Sequence, residues 1–112
     1  VPMARGMLST IYARLKDPGL TSDDCRILLD NYYRNWDNIK VLPTDIFPST
    51  KWVKNTNQIF LSVKVDNRNG KIVIVSAIDN LLKGQTGQAI QNLNLICGFS
   101  IDSGLEFTNY YP

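Results

Sequence analysis

Two apolar runs separated by five residues limit the possible folds of this chain more than any other feature of its sequence. In residues 58–65, apolar side chains alternate with polar ones, which is typical of a strand with one buried face in an antiparallel sheet. Residues 71–78 are rich in β-branched side chains and are apolar on both faces, as in a central strand. The connection ends in Asn69 and Gly70, a common turn pair. The sequence therefore predicts a β-hairpin whose second strand lies in the interior of a sheet.

The N-terminal half predicts one further strand and one helix. Residues 7–16 alternate with the period of a strand, and Pro18 and Gly19 mark the turn that follows. Thr21 and Asp24 have the spacing of a capping box at the start of a helix. The apolar side chains of this helix recur at helical spacing, and we expect them to pack on a sheet or another subunit: Cys25, Leu28, Leu29, Tyr32, Tyr33 and Trp36. Cys25 is interpreted as a small buried hydrophobic residue.

A second helix is predicted over residues 80–96, with Asp79 or Asn80 as its cap and Gly98 at its end. One side of it is apolar and is interpreted as core: Leu82, Ala89, Ile90, Leu93, Ile96 and Cys97. Another side holds only glycines and amides: Asn80, Gly84, Gly87, Gln88 and Gln91. Glycines weaken a helix, and Lys83 is unfavourable in a first turn. This polar side therefore indicates either close packing against another element or a surface that faces a ligand.

Composition narrows the fold and function further. A chain of 112 residues with no internal repeat predicts one domain, and the strands and helices predicted above make it an α+β domain. Residues 37–57 contain two prolines and are expected to form short extended pieces and loops. The 12 basic and 10 acidic residues are scattered, so we expect no nucleic-acid partner, and no apolar run is long enough to span a membrane. Because the chain has no histidine, it can contain no Cys-His dyad, no Ser-His-Asp triad and no histidine-ligated metal.

Three segments carry a family resemblance. Residues 75–99, VSAIDNLLKGQTGQAIQNLNLICGF, closely resemble the C-terminal helix motif of the N-acetyl-γ-glutamyl-phosphate reductases, approximately D-N-L-x-K-G-x-x-G-Q-A-x-Q-N-x-N. Residues 2–6 are similar to the P-M-x-R-G segment of that family, and residues 53–57 to its V-x-x-T-N segment. Gln85 and Thr86 depart from the Ala-Ala that the family often has. The resemblance extends over essentially the whole chain.

The resemblance implies an NADPH-dependent reductive dephosphorylation of an acyl phosphate in arginine biosynthesis, through a thioester on a cysteine with a histidine as acid and base. It places that cysteine, that histidine and a Rossmann half upstream of Val1, so no catalytic residue is assigned here and we expect this chain alone to be inactive. Residues 1–112 would then be the C-terminal portion of a catalytic and dimerisation domain like those of semialdehyde and glyceraldehyde-phosphate dehydrogenases. Such a domain has a mixed, mostly antiparallel sheet covered by helices. A cytoplasmic homo-oligomer joined through the sheet and helix surface is implied, or an organellar one in a eukaryote.

The resemblance also implies site residues. It places Asn80, Lys83, Gly84, Gly87 and Gln88 beside the nicotinamide end of NADP, and Arg5 at the substrate phosphate or carboxylate. From its chemistry alone, Arg5 equally suits a structural salt bridge. Two other functions remain open: a free-standing α+β module for metabolite binding or dimerisation, and a domain of a related semialdehyde or glyceraldehyde-phosphate dehydrogenase.

Overall fold

Four strands form a single sheet in the computed structural model, which describes residues 2–106. The strands are β1 (Met7–Arg14), β2 (Ile39–Val41), β3 (Ile59–Asp66) and β4 (Lys71–Ile78). Their order is β1-β4-β3-β2. β4 pairs antiparallel with both β1 and β3, while β2 pairs parallel with β3. The predictions of a mixed, mostly antiparallel sheet and of a central second hairpin strand are therefore confirmed.

Among the described residues, three α-helices and one π-helical turn accompany the sheet. They are α1 (Ser22–Tyr33), α2 (Thr50–Val53), the π-helical turn (Leu82–Thr86) and α3 (Gly87–Cys97). Within residues 37–57, β2 is one of the short extended pieces that the sequence predicted, whereas the short helix α2 was not predicted. Neither element is long enough to show a hydrophobic period. Within residues 2–106, no helix has the length and the apolar character needed to cross a membrane.

The core lies between α1 and one face of the sheet. The capping box at the start of α1 is present, since the Asp24 amide donates to Thr21 Oγ1 at 3.2 Å and the Thr21 amide donates to Asp24 Oδ2 at 2.9 Å. Cys25, on the first turn, is 4% exposed and packs with Val63 and Val65 of β3. The partly buried residues around this cluster are Leu15, Leu20, Leu29, Ile72 and Ile74. The interpretation of Cys25 as a buried hydrophobic residue is confirmed.

The short helix α2 covers one end of the opposite face of the sheet. Val53 of α2 and Ala77 of β4 are both completely buried. Trp52 and Phe60 are in ring contact, with centroids 6.3 Å apart, and Phe60 is paired with Ala77 across the sheet. The end of β4 is thus covered by α2 on this face, and the segment that follows it starts from a fixed position.

The apolar side of α3 is exposed in this chain, so its interpretation as core was wrong. Leu93 is 57% exposed and Ile96 is 84% exposed, and Ala89, Ile90 and Cys97 are exposed as well. Of the predicted stripe, only Leu82 is half-buried. The buried residues of α3 are Gly87, Gln91 and Asn94. The helix packs through these because their polar groups find hydrogen-bond partners in the chain, which an apolar periodicity does not reveal.

Candidate functional site

Asp79 is the centre of a hydrogen-bond network where β4 ends. Its side chain is completely buried, and it accepts hydrogen bonds from the backbone amides of Asn55 at 2.7 Å, Leu81 at 2.8 Å and Leu82 at 3.0 Å. The Arg5 guanidinium pairs with the same carboxylate, with its Nη2 atom 3.0 Å from Oδ2 and its Nε atom 3.2 Å from Oδ1. The N-cap residue of the π-helical turn is Leu81 rather than the predicted Asp79 or Asn80. Asp79 instead accepts hydrogen bonds from the amides at the start of the helical segment and joins three distant parts of the chain.

These hydrogen bonds set the charge state of the carboxylate. Burial raises the pKa of Asp79, but the hydrogen bonds from Asn55, Arg5, Leu82 and Leu81 together outweigh burial and hold the pKa below its ordinary value of 3.8. Asp79 is therefore an anion at neutral pH. For Arg5, the structure shows the salt bridge that its chemistry allowed, and its predicted contact with substrate stays a prediction.

Asn80, in the resemblance segment 75–99, contacts the segment of residues 2–6. Its Oδ1 atom accepts a hydrogen bond from the Gly6 amide at 2.7 Å. Gly6 has a φ of +97°, and a β-carbon there would lie 2.6 Å from Cβ of Thr50. Only glycine fits this position, because both the backbone conformation and the space exclude a side chain. The segments that resemble one family thus meet at a single place in the fold, where β4 leads into the helical segment.

The helical segment begins with the π-helical turn rather than with a regular α-helix. The amides of Gly84 and Thr86 donate to the carbonyls of Asp79 and Leu81, both at 2.9 Å and both five residues back. The Gly87 amide donates in the same way to Leu82. A π turn inserts one residue into the helical period, so the sequence stripe of glycines and amides does not stay on one side. Gly84 and Gln88 are exposed, whereas Gly87 and Gln91 are buried.

Gly87 is in close contact with the amide of Asn57. A β-carbon on Gly87 would lie 2.9 Å from Cγ of Asn57 and also 2.9 Å from the Leu82 carbonyl oxygen. Asn57 is 3% exposed, and neither its Oδ1 nor its Nδ2 atom has a hydrogen-bond partner within residues 2–106. Close packing, one of the two interpretations of the polar side, therefore describes Gly87. Its predicted place beside a cofactor stays a prediction.

Lys83 projects from the π-helical turn toward a cleft of about 280 Å³. Its ammonium group donates a hydrogen bond to Oε1 of Gln91. Burial lowers the pKa of Lys83, and the nearby Asp102 carboxylate partly offsets this by raising it. The other residues that line the cleft are Tyr32, Tyr33, Trp36, Asn38 and Ile39. Oδ1 of Asn38 has no hydrogen-bond partner among the described residues, so this region combines a cation with a free amide oxygen.

The structure divides the predicted site residues into two groups. Lys83, Gly84 and Gln88 lie on the accessible surface where the helical segment begins. The others have internal contacts that hold this segment in place: Arg5, Asn80 and Gly87. Sequence reasoning gave no site role to Asp79, Asn57 or Asp102, and it treated Gln91 only as part of a stripe. Asp79 and Asn57 both belong to the resemblance motifs, but the sequence does not show the contacts between residues 53–57 and residues 75–99.

The surface group has a chemistry that fits the nicotinamide end of a cofactor. An ammonium group and a side-chain amide supply the donors and the acceptor that a carboxamide needs. Gly84 leaves the backbone open to close approach, since no side chain projects from it. That Lys83, Gly84 and Gln88 lie beside the nicotinamide end of NADP stays a prediction. No group of three or more acidic or cysteine side chains within residues 2–106 is arranged to hold a metal ion.

A family match gives the class of this chain. Residues 1–80 match the family of semialdehyde dehydrogenase dimerisation domains, and the chain belongs to that family. Solved structures agree with this assignment at the level of the fold. The crystal structure of aspartate semialdehyde dehydrogenase II from Vibrio cholerae superposes with a TM-score of 0.71 at 19% identity, over 88% of this chain and 29% of that one.

Individual relatives are much more similar in sequence. The chain is 82% identical over 112 residues to an N-acetyl-gamma-glutamyl-phosphate reductase from Prochlorococcus marinus strain MIT 9215. It is 57% identical over 112 residues to the enzyme of that name from strain MIT 9211. All of this chain is matched in both comparisons, but it spans only 32% and 31% of the two relatives. The resemblance found in the motifs is therefore confirmed over the full chain.

Proposed function

We propose that this chain is the C-terminal portion of the catalytic and dimerisation domain of an N-acetyl-γ-glutamyl-phosphate reductase. The proposed enzyme uses NADPH to convert N-acetyl-γ-glutamyl phosphate to N-acetylglutamate semialdehyde in arginine biosynthesis, in the cytoplasm. The observation that carries the proposal is the high identity to reductases of this name along the entire chain. A Rossmann half, the catalytic cysteine and the catalytic histidine belong to the part of the enzyme that precedes residue 1.

The cysteines of this chain support the placement of the nucleophile elsewhere. Cys25 is buried, and burial followed by the charge of Asp24 raises its thiol pKa, so it forms little of the reactive thiolate. Cys97 is exposed at the end of α3, and the chain has no histidine to activate it. Neither cysteine therefore has the histidine partner that the proposed thioester mechanism needs, and we expect this chain alone to be inactive.

In the proposed enzyme, this chain binds and orients ligands. The cofactor supplies the hydride. Lys83 donates a hydrogen bond to an oxygen of the bound ligand. Within the described part of the chain, Gln91 uses only one of the three N–H groups of Lys83, so the others are available for this ligand. Gly84 permits close approach of the cofactor, and Gln88 orients its carboxamide. Asn80 and Gly87 act from beneath, because their contacts with Gly6 and Asn57 fix the backbone that carries Lys83 and Gly84.

Arg5 is assigned to the substrate. Its side chain is 30% exposed, and the salt bridge to Asp79 uses Nε and one Nη atom. A guanidinium group has five N–H donors, so donors remain for a phosphate or carboxylate. In this proposal Asp79 fixes the orientation of the Arg5 guanidinium group, and the remaining N–H donors of that group bind the substrate phosphate or carboxylate.

The proposed oligomer is a homodimer joined through the sheet. The family to which residues 1–80 belong is described as a dimerisation domain, and those residues include the whole sheet. β1 lies at the edge of the sheet and exposes large apolar side chains on both faces: Met7, Leu8, Ile11 and Tyr12. Apolar surface of this kind is typical of an interface that a partner covers.

The reverse reaction of the complete enzyme tests the proposed activity. N-acetylglutamate semialdehyde, inorganic phosphate and NADP should give NADPH, and omission of phosphate should abolish the signal because the product is an acyl phosphate. Aspartate semialdehyde serves as the matched competitor. A higher kcat/KM for aspartate semialdehyde would contradict the proposal and would favour a related semialdehyde dehydrogenase, the second candidate, which the shared fold supports.

A further inference from the structure

We propose that Gln91 and Asp102 are positioning residues for Lys83, an inference that rests on the proposed ligand-binding role of Lys83. The three residues form a row of hydrogen bonds, called here the polar triad. The Lys83 ammonium donates to Oε1 of Gln91, and Nε2 of Gln91 donates to Oδ1 of Asp102 at 2.7 Å. Gln91 is only 2% exposed, so its amide is held inside the protein between a cation and an anion.

The two charges determine which way the Gln91 amide points. A carboxylate can only accept hydrogen bonds and an ammonium can only donate them. Asp102 therefore takes the NH₂ group of Gln91, and the amide oxygen is left to face Lys83. In the opposite orientation, both of these hydrogen bonds would be lost within a buried site, which is costly. The Gln91 amide thus has one orientation, in which its NH₂ group binds Asp102 and its oxygen holds the Lys83 ammonium.

The π-helical turn brings Lys83 and Gln91 to the same side of the helix. They are eight residues apart, and in a regular α-helix such residues point about 80° away from each other. The residue inserted by the π turn reduces this difference to about 20°. The unusual start of the helical segment therefore has a specific result, which is the alignment of the polar triad.

Asp102 is itself held on both sides. Nδ2 of Asn94 donates to the carbonyl oxygens of Ile101 and Ser103, both at 3.0 Å. Asn94 is 6% exposed and lies on the same buried side of α3 as Gln91. The loop after α3 is thus fastened immediately before and after Asp102, so the carboxylate is a fixed point from which the triad extends to the cleft.

Positioning matters because a free lysine side chain is flexible. Ordering it at the moment of ligand binding costs conformational entropy, whereas a side chain already held in place avoids most of that cost. The cleft beside Lys83 receives a ligand oxygen, either from the nicotinamide carboxamide or from the acyl phosphate. Both groups accept hydrogen bonds, and separate measurements with the two ligands identify which of them Lys83 contacts.

The experiment uses the complete reductase and two readouts, the Kd of NADPH by fluorescence and the KM of the acyl phosphate. Lys83→Met should raise one of these by about tenfold or more, the usual effect of losing a hydrogen bond to a charged group. Gln91→Met should raise the same constant by a smaller factor, and it should add little when Lys83→Met is already present. Asn92→Ala, an exposed neighbour on α3, is the matched control and should behave as the wild type.

A charge swap provides a second variant if Gln91→Met unfolds the enzyme. Gln91→Glu alone places two carboxylates side by side and should impair binding. Gln91→Glu combined with Asp102→Asn restores both hydrogen bonds, because the new amide at 102 donates to the new carboxylate at 91, and this carboxylate accepts from Lys83. The double variant should therefore recover most of the binding. A purely structural role of Gln91 would affect melting without this pattern.

The outcomes separate the two proposals. If Lys83→Met changes neither the Kd of NADPH nor the KM of the acyl phosphate, the ligand-binding role of Lys83 is wrong and the positioning role fails with it. If Lys83→Met weakens binding while Gln91→Met leaves it unchanged, or if the two effects are fully additive, the positioning role is wrong and the proposed function stands.

Discussion

The side-chain amide of Asn57 occupies the space in which a side chain at Gly87 would lie. A β-carbon there would be 2.9 Å from Cγ of Asn57 and 2.9 Å from the Leu82 carbonyl oxygen. Gly87 has an ordinary helical φ of −63°, so its backbone conformation does not require glycine. The requirement comes from the neighbour, because the buried Asn57 side chain approaches the helix backbone directly. Two segments 30 residues apart in sequence are thereby locked together.

Gly87→Ala should destabilise the protein. The added methyl group must displace a buried side chain or the helix backbone, and overpacking of this kind costs about 1 to 3 kcal/mol. Urea unfolding of the complete reductase gives the free energy of unfolding directly. An unchanged unfolding midpoint would show that Asn57 moves aside without cost, and the close-packing interpretation would then be wrong.

Gly84→Ala is the matched comparison, with a different expected result. A β-carbon on Gly84 would lie 3.3 Å from the Asp79 carbonyl oxygen and 3.5 Å from Cδ1 of Ile78, and the residue is exposed. The tight contact and the higher helix propensity of alanine act in opposite directions, so stability should change by less than about 1 kcal/mol. With the proposed cofactor role of Gly84, the Kd of NADPH should rise, because the methyl group adds bulk at the proposed contact. A variant that melts early but binds NADPH normally would contradict that assignment.

The elements with a strong period could be predicted from the sequence. The capping box at Thr21 and the alternation in β3 and β4 are local signals, and the structure has the same helix start and the same hairpin. The π-helical turn and the exposed side of α3 were not predictable in this way. Both depend on hydrogen bonds between distant residues, such as Gln91 with Asp102 and Asn94 with the loop after α3, and a hydrophobic period contains no information about them.

The candidate site was predictable only in part, for the same reason. The motif identified the segment that begins at Asp79 as the candidate site. It did not show which residues of that segment make internal contacts and which lie on the surface. Arg5 and Asn80 make internal contacts with Asp79 and Gly6, and these partners lie 74 residues away in the sequence. Which polar residue faces inward and which faces the surface is decided by such tertiary contacts.

Acid should destabilise the protein through Asp79. Its pKa in the folded state lies below its ordinary value of 3.8, so the folded state favours the ionised form. The stabilisation is therefore fully present above pH 3.8 and is lost as the pH falls through the lower, folded-state pKa. Asp79→Asn should unfold more readily at neutral pH and should lose less stability between neutral and acidic pH. Equal pH dependence in Asp79→Asn and the wild type would contradict this role, and Asp30→Asn, an exposed position, is the control.

Neither cysteine of the chain should be required for turnover. Cys97→Ser should keep both kcat and stability, since Cys97 is exposed at the end of α3. Cys25→Ala should keep kcat in the folded enzyme but lower its stability by about 1 kcal/mol, because it leaves a small cavity between α1 and β3. Steady-state kinetics and thermal melting of the complete reductase measure both effects. A large loss of kcat in Cys97→Ser with unchanged melting would place the nucleophile in this chain instead of upstream.

The dimer contact should depend on β1 and not on α3. Both elements expose apolar side chains, among them Tyr12 at 69% and Ile96 at 84% exposure, so exposure alone does not distinguish them. The match to the dimerisation domain ends at residue 80, which includes β1 and excludes α3. Tyr12→Asp introduces a charge that a covered apolar interface cannot solvate, and sedimentation of the complete reductase at micromolar concentration should show a shift toward monomer. Ile96→Ser should sediment as the wild type does. If Ile96→Ser dissociates the enzyme while Tyr12→Asp does not, the partner subunit covers α3, and the sheet is not the dimerisation surface.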